Sequence, residues 1–228
     1  MSHLKLNGSF GRLLLMAGGE HGSRGKGDPA LRSFIASLGI ERPRVAYIGA
    51  ASDDDQHYYS ITEKVLVASG AVTVFMEGFG RGCLSRLQES DMIFISGGDV
   101  ETGMANLESC GAIPHLAELF KRGKPFVGVS AGSIMLGKAW IRWSDPDDDS
   151  SASLFPCLGF AKIICDAHDE FDGWGELKSA ISLAPEGEDG YGIPTGSALL
   201  LEPNGAVSHV GSAPVRFKSA SGAFEQIA

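Results

Sequence analysis

A chain of 228 residues, 43% hydrophobic and 21% charged, is globular in composition and suits one domain with a sizeable core, or at most two small ones. Its net charge of −9 argues against a broad nucleic-acid surface, because phosphate binding needs clustered Lys and Arg. The four cysteines (Cys83, Cys110, Cys157, Cys165) form no C-x-x-C pair, which speaks against structural zinc and a disulfide framework; they are expected to be mostly buried thiols.

In chain order, "RLLLMAGGE" reads as a buried strand running into glycines. Its apolar part, residues 13–17, is too short for a signal-peptide core or a membrane span, so a cytoplasmic protein is expected. "DPALRSFIASLG" reads as a helix with Asp28 as N-cap, Pro29 at the first position and Gly39 as its stop. "PRVAYIGAAS" is a second strand, "HYYSITEKVLVASG" a second helix, "AVTVFMEG" a third strand and "LSRLQESD" a short helix. "MIFISGGD" is a fourth strand, "IPHLAELFKRG" a helix and "PFVGVS" a fifth strand. Such alternation predicts an α/β fold, a mostly parallel sheet with helices on both faces. Residues 144–153, polar and acidic, read as a mobile loop, and "AKIICDA" as a further strand. "SALLLEPNGAVSHVG" reads as two strands around a turn, an antiparallel hairpin added to one sheet edge.

Glycines close several of these strands. "AGGEHGSRGKG" matches neither G-x-G-x-x-G nor G-x-x-x-x-G-K-[ST], so it gives little support for nucleotide binding. "SGGDVETG" lies where parallel α/β sheets bind ligands, and adjacent glycines there can aim N–H groups at an oxyanion.

"GVSAG" at residues 128–132 joins a strand to a helical apolar run. G-x-S-x-G in that setting is a nucleophile elbow, with Ser130 lifted above the sheet and glycines preventing collisions beside it. The plainer alternative makes Ser130 a helix N-cap. A serine nucleophile needs a base. His3 lies near the N-terminus, His21 in the first glycine-rich loop, His57 and His115 on helices, and His209 on a strand. His168 follows "AKIICDA" at a strand end, the position a base would take. Asp145 and its acidic neighbours lie between, giving the order Ser, Asp, His.

"SGGD", "GVSAGS", Asp145 and "DAHDEF" together resemble the serine peptidase family of aspartyl dipeptidase (peptidase E) and cyanophycinase. The resemblance covers most of the chain, a core of about residues 12–217 within one domain spanning 1–228. It implies a class I glutamine amidotransferase-like fold, a three-layer sandwich with serine in place of that fold's cysteine nucleophile. It also implies a triad of Ser130, His168 and Asp145, whose spacings from the serine of 15 (Asp145) and 38 (His168) fit the family. The N–H of Ala131, with that of Gly98 or Asp99, would hold the oxyanion, and no metal or organic cofactor is required. The substrate would be a small peptide, with no nucleic-acid or membrane partner; assembly is left open, a homodimer included.

The substrate segment departs from the family, which commonly carries an Arg-bearing stretch after the histidine. Here Asp169, Glu170, Asp172 and Glu176 follow it, with Asp169, Glu170 and Trp174 the expected substrate contacts. With the acidic residues at 145–149, they would make an acidic mouth favouring cationic peptides over an aspartyl side chain. Two rivals remain: a non-catalytic binding protein on the same fold, and an α/β-hydrolase esterase, whose histidine usually lies further from the serine.

Overall fold

The computed structural model describes residues 10–19, 27–76 and 83–227. His3, His21 and residues 20–26 of the first glycine-rich stretch lie outside them.

A seven-stranded sheet forms the centre. Its strands are β1 (Leu13–Met16), β2 (Arg44–Ile48), β3 (Val72–Met76), β4 (Met92–Ile95), β5 (Phe126–Val129), β10 (Ala198–Leu201) and β11 (Val207–Val210). They lie in the order β11-β10-β1-β5-β4-β2-β3. The first five are parallel, and β10–β11 is the antiparallel hairpin expected at one edge, with Leu201 opposite Val207. β5 lies between β1 and β4, so its C-terminal end opens at the middle of the sheet's ligand-binding edge.

Helices cover both faces. α1 (Pro29–Ser37) and α2 (Gln56–Ala68) bury Leu31, Phe34, Ile35 and Leu66 on the face of Leu14, Val45, Tyr47 and Val127. Asp28 caps α1 by accepting the N–H of Leu31 at 3.0 Å. The opposite face carries Leu13, Ile48, Ile95 and Phe126. Against it pack α3 (Cys83–Glu89), α4 (Val100–Ser109), α5 (Ile113–Lys121) and α6 (Ala131–Leu136), through Leu87, Leu107, Leu116 and Met135. These are the three layers expected. Among the described residues no helix is long and apolar enough to cross a membrane.

Three features depart from the sequence reading. "AKIICDA" does not join the central sheet. β8 (Ile164–Ala167) and β9 (Asp189–Ile193) pair in parallel, and β12 (Val215–Ala220) and β13 (Ala223–Ile227) extend them antiparallel into a second, four-stranded sheet. With α7 (Gly175–Leu183), it shares the apolar cluster on the α4–α6 face. Second, most of residues 144–153, from 144 to 151, are the tip of a hairpin of β6 (Ala139–Trp143) and β7 (Ala152–Pro156). Its turn is exposed but internally bonded: Asp148 accepts the N–H of Ser150, and Ser151 Oγ donates to the Asp145 carbonyl at 2.8 Å. Third, α4 forms where only a glycine-rich loop was read. Gly103 lies mid-helix close to α6, where a Cβ would stand 2.6 Å from Met135 Sδ and 3.0 Å from Ala51 Cα.

Candidate active site

β5 ends at Val129, and Ser130 then turns the chain into α6 with φ 50° and ψ −121°. A positive φ on a serine costs about 1–3 kcal/mol, so the surroundings must hold it. The Ser130 N–H donates to the Met16 carbonyl of β1 at 2.9 Å, and Ser133 Oγ donates to the same carbonyl at 2.8 Å. The flanking glycines are needed sterically. A Cβ at Gly128 would stand 2.4 Å from the Gly132 carbonyl oxygen.

Ser130 sits at the N-cap position of α6, yet its side chain makes no capping hydrogen bond. Its Oγ lies instead 2.7 Å from His168 Nε2. His168 follows β8 with φ 54°, and its N–H donates to the Ile193 carbonyl of β9 at 2.9 Å. The second sheet thus aims its strand end at the elbow of the first. His57, His115 and His209 lie on α2, α5 and β11, away from this cleft.

The cleft has a volume of about 260 Å³ and includes Gly98, Ala131, Ile134, Trp140 and Asp166 in its lining. Ala131 opens α6, so its N–H has no helical partner. Among the described residues neither that N–H nor the N–H of Gly98 is hydrogen-bonded. Gly98 needs to be glycine: its φ is +143° and a Cβ would stand 1.9 Å from the Ala51 carbonyl oxygen. Asp99, the alternative donor, is committed elsewhere. Its N–H donates to the Ala51 carbonyl at 2.8 Å, and its carboxylate caps α4 through the Thr102 N–H at 2.7 Å.

The structure does not bring Asp145 to His168. Asp145 is exposed in the β6–β7 turn, where its carboxylate accepts the Asp147 N–H at 3.0 Å, and it does not line the cleft. Among the described residues no carboxylate hydrogen-bonds His168; the charge of His168 is a lesser cause that lowers the pKa values of its neighbours Asp169 and Glu170. Partial burial raises the Glu170 pKa, but the hydrogen bonds from Thr195 outweigh it and leave the carboxyl below its usual range. Glu170 Oε1 accepts the Thr195 N–H at 3.1 Å, and Glu170 does not line the cleft. Asp169 does line it, its pKa raised first by burial and then by the charge of Asp172. Trp174, expected as a substrate contact, does not line the cleft. It is 5% exposed, with its ring against Gly192 of β9.

Sequence reasoning passed over Asp166. It lies on β8 two residues before His168, lines the cleft and is 4% exposed. Its pKa is pushed up to about 7, by burial first and then by Asp169 and Glu176, against the lowering effect of the Ala167 N–H. The signal was available: an aspartate inside the apolar run "KIICDA" is a buried charge that needs an explanation. The thiols divide. Cys165 is buried, Cys157 half-buried and Cys110 exposed, and burial pushes Cys157 up to about 12 and Cys165 higher still.

The family model for Peptidase family S51 matches residues 13–208. The chain belongs to peptidase family S51. That places it among the peptidases. Over 165 residues it is 24% identical to the "Uncharacterized peptidase YgaJ" of Bacillus subtilis (strain 168), a match covering 70% of this chain and 69% of that protein. In solved structures it shares the fold of a peptidase from an acI-B1 Actinobacterium, with a TM-score of 0.72 at 18% identity over 96% of this chain and 95% of that one. It also shares the fold of a putative Peptidase E protein from Listeria monocytogenes EGD-e, with a TM-score of 0.65 at 16% identity over 90% of this chain and 100% of that one.

Proposed function

We propose that this S51 peptidase is a serine peptidase that hydrolyses an amide bond in small peptides or isopeptides through an acyl-enzyme on Ser130. The observation that carries the reading is the 2.7 Å contact between Ser130 Oγ and His168 Nε2 at a backbone-strained strand–helix turn.

Ser130 Oγ attacks the carbonyl carbon while His168 Nε2 takes its proton. The tetrahedral oxyanion is met by the N–H groups of Ala131 and Gly98. Each such donor is typically worth roughly 3 kcal/mol to the transition state. His168 then passes the proton to the leaving amine, the C–N bond breaks, and the acyl group stays on Ser130. Water, deprotonated by His168, attacks the ester and releases Ser130 as the hydroxyl. The imidazolium formed in each half is stabilised by the carboxylates of Asp169 and Glu170, the part that the family resemblance implies for Asp145. We read the whole chain as one catalytic domain, because one apolar cluster joins both sheets. A reducing, cytoplasmic setting, which keeps thiols such as the buried Cys165 reduced, is part of this reading.

The test is hydrolysis of a panel of aspartyl, β-aspartyl-arginine, neutral and cationic dipeptides, with Ser130→Ala as control. Turnover that disappears in Ser130→Ala supports the reading. Cleavage by the wild type that Ser130→Ala retains overturns it.

A further inference from the structure

We infer that Asn106 of α4 is a positioning residue for the oxyanion donor Gly98, acting through the turn at residues 49–54. It rests on the peptidase reading for the role of Gly98. Asn106 itself does not line the cleft.

The chain of contacts starts at the nucleophile. The peptide joining Gly97 to Gly98 passes beside Ser130, so that a Cβ on Gly97 would stand 3.3 Å from Ser130 Cβ. The Gly98 N–H belongs to that peptide, and its direction depends on what holds the Gly98 backbone. Ala51 holds it in two ways. Its carbonyl oxygen lies so close that a Cβ on Gly98 would stand 1.9 Å away, and the same oxygen accepts the Asp99 N–H at 2.8 Å. A shift of the Ala51 carbonyl therefore turns or releases Gly98. Oxyanion stabilisation depends on donors fixed in place before the charge develops, so such a shift reaches the chemistry without touching Ser130 or His168.

The turn that carries Ala51 is strained. Asp53 and Asp54 follow in left-handed backbone, with φ 50° and 55°. Aspartate tolerates that conformation better than most residues, but two in succession need support from outside. Some support is internal: the Gly49 carbonyl accepts the N–H groups of Ser52 at 2.9 Å and Asp54 at 3.0 Å. The tie to the rest of the fold is Asn106. Its Nδ2 donates to the Ala50 carbonyl at 2.9 Å and to Asp53 Oδ1 at 2.8 Å, so one amide group grips the turn on both sides of Ala51. That group has two hydrogens, one for each acceptor, whereas an amide that only satisfied the Ala50 carbonyl would need one. α4 can approach this closely because the residue one turn before Asn106 on the same face is Gly103, where a Cβ would stand 3.0 Å from Ala51 Cα.

The test needs no knowledge of the substrate. A fluorophosphonate reacts with an activated serine by losing fluoride, and its phosphonyl oxygen takes the place of the oxyanion, so the labelling rate reads the donors. Second-order rates would be measured for the wild type, Asn106→Ala, Asn106→Asp, Asp53→Ala and the double variant Asn106→Ala with Asp53→Ala. Asn106 is half-buried and alanine is a good helix former, so these proteins should fold, and thermal melting checks that they do. We expect labelling at least tenfold slower in Asn106→Ala. Asn106→Asp, which keeps the shape and lacks the donor, should lose no less. Asp53→Ala should lose a smaller factor, and the double variant should be no slower than Asn106→Ala, since both ties act on one turn. The pH of half-maximal labelling should stay at its wild-type value throughout, because the base is not moved. Wild-type rates in Asn106→Ala or Asn106→Asp, losses that add in the double variant, or a slower rate with a shifted pH midpoint overturn the inference and leave the peptidase reading intact. A folded wild type that is not labelled at all removes the peptidase reading, and the role of Asn106 with it.

Discussion

Gly132 of α6 packs against the end of β4 so closely that a Cβ on it would stand 2.3 Å from the carbonyl oxygen of Ile95 and 2.7 Å from that of Ser96. Neither neighbour is a flexible side-chain end, so the helix itself must move to admit a methyl group. Ser130 is two residues earlier and would move with it. Gly132→Ala should therefore destabilise the fold by roughly 1–3 kcal/mol and lower kcat at least tenfold through misplacement of the nucleophile. Thermal melting and kcat on any substrate found would check this. A variant with wild-type kcat would show that the elbow does not depend on this contact.

Asp145→Ala should leave kcat within about threefold of wild type, because the carboxylate is engaged with its own turn and contributes only a distant, screened charge. His168→Ala should cost several orders of magnitude, as loss of a base does in serine peptidases. Parallel kinetics on the two variants is the check. Equal losses in both would mean that the β6–β7 turn closes onto His168 during catalysis.

Asp166 gives the fold an inverted pH dependence. Its carboxyl is raised from 3.8 to about 7 in the folded chain, so the folded state binds the proton more tightly than the unfolded one. The stability it contributes is fully present below about pH 4 and is lost as pH rises through about 7. At 1.36 kcal/mol per unit, the upper bound is on the order of 4 kcal/mol. Asp166→Asn removes the charge at nearly constant volume. It should raise Tm at pH 8 by several degrees relative to wild type, and by much less at pH 5. A variant less stable than wild type at pH 8 would show that the ionised carboxylate has a partner in the folded chain.

Trp174→Ala should act as a core truncation, costing about 3–5 kcal/mol. The ring fills the space above Gly192, where a Cβ would lie 2.6 Å from it. Urea denaturation would measure the loss. A variant of wild-type stability with altered substrate preference would restore Trp174 as a substrate contact.

Much of the fold and the nucleophile was legible because local chemistry decides them. Asp28 and Pro29 mark the start of α1, and the continuous apolar strands report burial on both faces. Gly128 and Gly132 flank Ser130 where the tight strand–helix turn leaves no room for a Cβ, so the elbow shows in the local pattern. His168 was legible from its place after an apolar strand, although the pairing of that strand with β9 rather than with the central sheet was not. Such pairing is a contact between distant segments, and neither run carries it alone. Asp145 misled because its chain position between Ser130 and His168 says nothing about where a hairpin tip points. Trp174 misled for the opposite reason. It is close to His168 in sequence, but the left-handed backbone at Trp174, with φ 65°, opens α7 and goes with its burial on Gly192.

The most direct test of a catalytic Ser130 is intact-protein mass spectrometry after treatment with a fluorophosphonate, which phosphonylates a serine hydroxyl only when a neighbouring base activates it. The wild type should gain one adduct, located to Ser130 by peptide mapping. Ser130→Ala should gain none, and labelling of His168→Ala should be at least a hundredfold slower. A folded wild-type protein that gains no adduct, or one that labels as fast without His168, would contradict a Ser130–His168 nucleophile.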